Sequence, residues 1–305
     1  PRHLDLPGGV PEPRRDPQRR LAGLSRCEAG KIFLLGVGAQ KCGTTWLESE
    51  LSGTSWFSNG GIKEFHVFNK LVAQRRNNPA KAMIRRRRKG KLDLIRLQEA
   101  MRLSPELYFD HFDYLHLREA AVTHVGDITP AYSMLPQSSF ELIREGLTAR
   151  GFTIRVILLM RDPVERAWSQ LRMRNRLRHE RQNAARVTAE QEVSQLRSFY
   201  RKPNCRSRTT YEQMAETLEA VFSSEEIFYG FYETLFQQSE INRLTDFLEA
   251  PALTPQFSRV VHASPKQSET VEGLDAVLND MRAFFAPTYD WARRRFGPRV
   301  PTGWR

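Results

Sequence analysis

Cysteine is scarce: there are three in 305 residues, Cys27, Cys42 and Cys205. That number and spacing exclude a disulfide framework and a four-ligand zinc site, and leave only a single Cys27 to Cys205 bridge open. Long apolar runs are missing too. The longest, Ile32 to Ala39, has eight residues against the roughly 20 needed to span a bilayer, and no N-terminal stretch has the pattern of a signal peptide. A soluble chain is expected. Acidic side chains are outnumbered, 35 against 47 basic ones, for a net charge of +12. The shortfall points to an anionic partner: nucleic acid, a nucleotide, a sulfated or carboxylated glycan, or a membrane surface. Apolar residues are not in short supply. With 18 glycines added to the 40% AVILMFWYC share, the apolar fraction is about 46%, which excludes disorder throughout.

Residues 1 to 30 read as a flexible arm, because the first 26 hold five prolines and six arginines without apolar periodicity. Residues 31 to 305 read as a single domain. Ile32 to Val37 is a continuous apolar run closed by Gly38, which suits a buried parallel strand, and Thr44 to Leu51 follows as a helix. Further strands are expected at Val122 to Val125, Thr153 to Met160 and Glu226 to Phe231, and helices at Pro136 to Arg150, Thr210 to Phe222 and Gln237 to Leu248. Leu92 to Glu119 reads as helical with a restart at Ser104 and Pro105, and Val271 to Phe285 as a helix stopped by Pro287. Strands alternating with helices over this length predict an α/β fold: a central parallel sheet flanked by helices in three layers. Arg-rich insertions are expected at about 75 to 91 and 179 to 208, the second as an insertion or mobile loop.

Chemistry concentrates in two segments. Gly38-Ala39-Gln40-Lys41-Cys42-Gly43-Thr44-Thr45 lies between a strand and a helix, where backbone N–H groups and the positive helix end hold phosphate. Its spacing mimics the triphosphate loop G-x-x-x-x-G-K-[ST], but Thr44 occupies the lysine position and Lys41 sits inside the loop. That arrangement suits a ligand with fewer phosphates and no metal. The second segment is Arg161-Asp162-Pro163-Val164-Glu165-Arg166-Ala167-Trp168-Ser169. Asp162 is an N-cap and Pro163 a first helical residue. Arg161 then stands at the carboxyl end of a buried strand, where open α/β sheets bind ligands and a guanidinium fork suits phosphate, with Ser169 two turns on.

Lys41-Cys42-Gly43-Thr44-Thr45-Trp46-Leu47 together with Arg161-Asp162-Pro163 and Ser169 resembles the paired signatures of sulfotransferases that use 3′-phosphoadenosine 5′-phosphosulfate (PAPS). The resemblance runs from about Lys31 to Gly297, includes Gly126-Asp127-Ile128-Thr129-Pro130-Ala131-Tyr132, and implies a P-loop-like fold. It implies that Lys41, Cys42, Gly43, Thr44, Thr45 and Trp46 bind the 5′-phosphosulfate side of the donor and Arg161 and Ser169 its 3′-phosphate, without a metal. Ile62-Lys63-Glu64-Phe65-His66-Val67-Phe68 is similar to the K-E-x-H-F-F segment of the heparan sulfate type. This implies Glu64 as general base toward an acceptor hydroxyl, with His66 nearby in a catalytic or a packing role. Asn69 stands where heparan enzymes often carry aspartate, and the family's late Lys-Gly-aromatic loop is replaced by His262-Ala263-Ser264-Pro265-Lys266-Gln267.

A base within hydrogen-bond reach of the acceptor and a cation on the bridging oxygen are what sulfuryl transfer needs, and Glu64 and Lys41 supply them. The expected acceptor is a hydroxyl, or an amine, of a carbohydrate or small molecule. Arg85 to Lys91 serves either a polyanion or only a solvated loop. Arg172, Arg174, Arg176 and Arg178 alternate by two on a helix and are read as surface; Trp46 and Trp168 either pack on the sheet or stack near adenine. Two rival functions are a nucleotide kinase or NTPase on the same loop, and a nucleic-acid-binding protein driven by residues 75 to 91. The expected setting is a bacterial cytoplasm, with the Golgi lumen, after removal of an anchor, as the alternative.

Overall fold

Five strands form one all-parallel sheet in the order β2-β3-β1-β4-β5 in the computed structural model, which describes residues 30–76, 92–257 and 271–304. These are β1 (Ile32–Gly38), β2 (Phe57–Ser58), β3 (His124–Ile128), β4 (Thr153–Met160) and β5 (Ile227–Phe231). Every residue of β1 is buried, as a strand covered by helices on both faces requires. The chain runs from β1 outward to β2, back through β3, and only then to β4 on the other side of β1. Connections leaving β1 and β4 therefore diverge at the carboxyl ends of neighbouring strands, the place where such sheets open a ligand crevice.

The helices between are α1 (Thr44–Ser52), α2 (Phe68–Arg76), α3 (Leu92–Leu103), α4 (Glu106–Arg118), α5 (Gln137–Thr148), α6 (Pro163–Gln182), α7 (Ala189–Phe199), α8 (Pro203–Arg206), α9 (Tyr211–Glu219), α10 (Gln238–Leu248), α11 (Leu274–Phe284) and α12 (Ala286–Phe296). Helix α4 buries Tyr108, Phe109, Phe112 and Leu115, one stripe at helical spacing, against the sheet. Phe112 meets Phe33 edge-on at 4.8 Å and Phe65 at 4.9 Å, so this aromatic cluster ties β1 to the Ile62 to Phe68 segment. The described residues from Lys31 on form one compact unit. Among the described residues no helix is long and apolar enough to cross a membrane.

Three expectations are corrected. The strand expected at Val122 starts two residues later and runs through Gly126 and Asp127 to Ile128. The helix expected over Val271 to Phe285 starts only at Leu274 and does end at Phe284, but a further helix follows at once, with Pro287 in the first turn of α12, where its missing N–H is harmless. Residues 179 to 208 are not an open loop. Helix α6 continues to Gln182, and α7 starts at a capping box in which Thr188 and Gln191 bond each other's backbone N–H. Val193, Leu196 and Phe199 then bury one face of α7, a short apolar stripe that the surrounding polar residues mask in sequence.

Candidate functional site

Gly43 turns the chain from β1 into α1 with φ +87°, and a Cβ there would come within 2.6 Å of Leu235 Cδ2, so both backbone and packing require glycine. Its carbonyl accepts from Trp46 N–H and Leu47 N–H at 3.0 and 3.1 Å. The N–H groups of Thr44 and Thr45 belong to the first turn, without intrahelical acceptors, at the positive end of the helix. Lys41 lies in the same loop with φ +74°. Burial, followed by the neighbouring Arg176 and Arg161, lowers its pKa from the usual lysine value. An anionic ligand relieves that crowding of cations.

Arg161 leaves the end of β4 next to this loop. Its Nη1 is 3.5 Å from the carbonyl of Lys41, its Nη2 3.2 Å from Glu165, and its guanidinium covers the Tyr232 ring at 4.4 Å. The turn is held from distant parts of the chain. Tyr211 hydroxyl accepts from Arg161 N–H at 3.2 Å and donates to Arg161 carbonyl at 2.7 Å. Asp162 caps α6 by accepting from Glu165 N–H at 2.9 Å, its other oxygen accepts from Tyr289 hydroxyl at 2.8 Å, and its own N–H donates to Glu233 at 2.8 Å.

The third part is the Ile62 to Val67 segment, which crosses the carboxyl end of β3. Ile62, Phe65 and Val67 face inward and are buried, while Lys63 and Glu64 face a cavity of about 480 Å³. This volume lies within the range of small-molecule sites. The same cavity is lined by Gln40, Lys41, Gly43, Thr44 and Thr45 from the first loop and by Arg161 and Ser169 from the second motif. Among the described residues its charged lining is four cations, Lys41, Lys63, Arg161 and Arg176, against the single carboxylate of Glu64. His66, with φ +54°, brings Nε2 to 2.9 Å from Glu64 Oε2. Its Nδ1 is buried without a partner, as is Asn69 Oδ1.

The structure thus gathers Lys41, Gly43, Thr44, Thr45, Trp46, Glu64, Arg161 and Ser169 around one cavity, with His66 behind Glu64. Cys42 is placed differently: its thiol turns into the core, 3.8 Å from Tyr211 hydroxyl, and burial pushes its pKa up to about 12. Trp46 is nearly buried, packed at 4.9 Å on Phe236 and stacked at 6.1 Å on Phe257, so it forms a wall of the cavity. Trp168 packs under Arg172 and donates to Glu192 instead.

Sequence reading missed Met173 and Arg176, although they follow Ser169 at helical spacing on the face of α6 that lines the cavity. The alternating arginines do divide between faces: Arg176 turns to the cavity and Arg172 to Glu192. Tyr232, Phe236 and Phe257 were also missed, because nothing local marks an aromatic as ligand-facing. Residues 77 to 91, with Arg85 to Lys91, and 258 to 270, with Lys266, lie outside the described residues, as does Cys27; Cys205 is a buried thiol 3.1 Å from Arg166 Nη2. Among the described residues no three His, Cys, Asp or Glu side chains group as metal ligands.

No curated protein sequence matches the chain. The fold is similar to a solved sulfotransferase from Alicyclobacillus acidocaldarius, with 19% identity and a TM-score of 0.57, over 90% of this chain and 99% of that one. A sulfotransferase from Mycobacterium avium also matches, at 12% identity and a TM-score of 0.42, over 90% of this chain and 79% of that one. The model of the sulfotransferase domain matches residues 31–272, most of the chain, and on that evidence the protein belongs to the sulfotransferase family, enzymes that transfer a sulfuryl group from PAPS.

Proposed function

We propose that Lys41 and the backbone N–H groups of Cys42, Gly43, Thr44 and Thr45 hold the 5′-phosphosulfate of PAPS, that Arg161 and Ser169 hold its 3′-phosphate, and that Glu64 takes the proton of an acceptor hydroxyl. One observation carries the reading: the two anion cradles meet, Arg161 touching the Lys41 carbonyl, on a cavity whose one acidic side chain among the described residues is Glu64. The residues fit the donor. An excess of cations matches its negative charges, and Trp46, Phe236 and Phe257 offer an apolar wall for its base. Glu64 accepts the hydroxyl proton as the acceptor oxygen bonds to sulfur, and Lys41 stabilises the charge gained by the phosphate oxygen when its bond to sulfur breaks. His66, bonded to Glu64, orients the carboxylate. The Lys63-Glu64-Phe65-His66 pattern supports a carbohydrate or small alcohol as acceptor.

A kinase or NTPase reading fits less well. Asp127, the acid at the end of β3, is fully buried and bonded to Tyr108 and Thr129 rather than turned to the cavity. Calorimetry with 3′,5′-adenosine bisphosphate in the absence of Mg²⁺ tests the donor site: binding is expected, weakened in Arg161→Ala, and no binding would remove the reading. Glu64→Gln is expected to bind the bisphosphate normally and lose about 10²- to 10⁴-fold in turnover, the usual worth of a general base. Normal turnover in that variant would reassign the base.

A further inference from the structure

A carboxylate buried without a cation needs a reason. Asp127 is fully buried, and desolvation raises its pKa to about 6 against the pull of its hydrogen bonds. Its carboxyl is held by hydroxyls. Thr129 donates to Oδ1 at 2.5 Å, Tyr108 to Oδ2 at 3.0 Å, and Tyr132 is a further hydrogen-bonding neighbour. Two of these hydroxyls also accept from the segment that carries Glu64. Thr129 Oγ1 receives Phe65 N–H at 3.0 Å, and Tyr132 hydroxyl receives Val67 N–H at 3.1 Å. A hydroxyl has one proton, and a carboxylate that accepts it leaves the oxygen lone pairs for the backbone. Asp127 thereby sets the direction of both bonds. From the other side Gln98, on α3, donates to the carbonyls of Glu64 and Phe65 at 2.9 and 3.1 Å.

We infer that Asp127, Thr129, Tyr132 and Gln98 are positioning residues for the catalytic base: they clamp the backbone from the Glu64 carbonyl to Val67 N–H and so aim the Glu64 carboxylate into the cavity. None of the four side chains lines the cavity with Glu64. Their effect passes through the Glu64 backbone, which here has positive φ at His66 and no strand or helix of its own to hold it. The inference rests on Glu64 being the base.

Thr129→Val deletes the acceptor for Phe65 N–H while keeping size, and Thr129→Ser restores it. Turnover of Thr129→Val is expected to fall at least about tenfold, with the dissociation constant of 3′,5′-adenosine bisphosphate unchanged within about twofold, and Thr129→Ser to recover most of the rate; aligned hydrogen bonds of this kind matter at the level of reacting geometry. Gln98→Ala, from a separate element, should lower turnover in the same selective way. In the Glu64→Gln background, Thr129→Val should add little further loss, since both act on one group. Wild-type turnover in Thr129→Val, equal loss of turnover and nucleotide binding, or full additivity with Glu64→Gln would each overturn the inference. Wild-type turnover in Glu64→Gln itself would instead remove the base assignment on which it stands.

Discussion

The loop after β1 presents its ligand groups through local geometry, a glycine at φ +87°, a lysine at φ +74° and the first turn of α1. The turn after β4 presents a guanidinium and a hydroxyl through contacts that span the chain, with Tyr211 50 residues away, Glu233 71 and Tyr289 127. Both grip anions. A backbone cradle is specified by a short run of residues, because N–H groups at a helix start need only the right φ angles to converge. A side-chain cradle depends on whatever holds the strand end and the helix in place, so residues far from the ligand control it. The two should therefore fail differently when disturbed.

Lys41→Met tests the first cradle most sharply. Turnover is expected to fall by about 10²- to 10³-fold, the scale of losing one donor aimed at developing charge, measured as single-turnover sulfuryl transfer. Arg161→Lys addresses the second. A lysine keeps the charge but loses the planar fork, and the contacts to the Lys41 carbonyl and the Tyr232 ring go with it. Affinity for 3′,5′-adenosine bisphosphate should drop by about 10- to 100-fold, in line with hydrogen bonds to charged groups; retained affinity would mean that charge alone suffices there.

Tyr211→Phe removes the hydroxyl that bonds both N–H and carbonyl of Arg161 without touching the cavity. A loss of about 1–2 kcal/mol in urea unfolding is expected from two hydrogen bonds, together with weaker nucleotide binding, whereas an unchanged dissociation constant would show that the second cradle holds itself. The smallest effect concerns stability at the first cradle. Lys41 titrates below its usual value because burial and then Arg176 and Arg161 disfavour its charged form. A lysine lowered in the folded state destabilises the fold while protonated, and the penalty fades as pH rises through its folded pKa. Lys41→Met should therefore raise the urea midpoint at neutral pH, and the gain should shrink in alkali. An inactive variant that is more stable would mark this cradle as strained for binding.

The comparison also explains which parts were legible beforehand. Lys41-Cys42-Gly43-Thr44-Thr45 and Arg161-Asp162-Pro163 could be placed on their strand ends because capping and turn rules are local, and β4 matched its expected bounds. Strand β3 was misplaced since Gly126 and Asp127 are poor strand formers; their burial depends on Tyr108 and Thr129, the first brought from α4. Alternating arginines look solvated, so Arg176 reads as surface in the sequence, and only the packing of α6 turns it onto Lys41. The Glu64 segment could be located from its residues, but its clamp could not, for hydroxyls and a buried acid 63 to 68 positions away leave no periodic trace.

Sequence alone determined the parallel α/β order, the backbone cradle at Gly38 to Thr45 and the identity of the cations, since strand periodicity, glycine geometry and helix caps act between near neighbours. Tertiary structure decided what those cations meet: that Arg161 lies against Lys41, that Arg176 joins them, and that Glu64 is the acid on the same cavity. Those relations arise where loops from separate strands converge, and no local rule sets the distance between them.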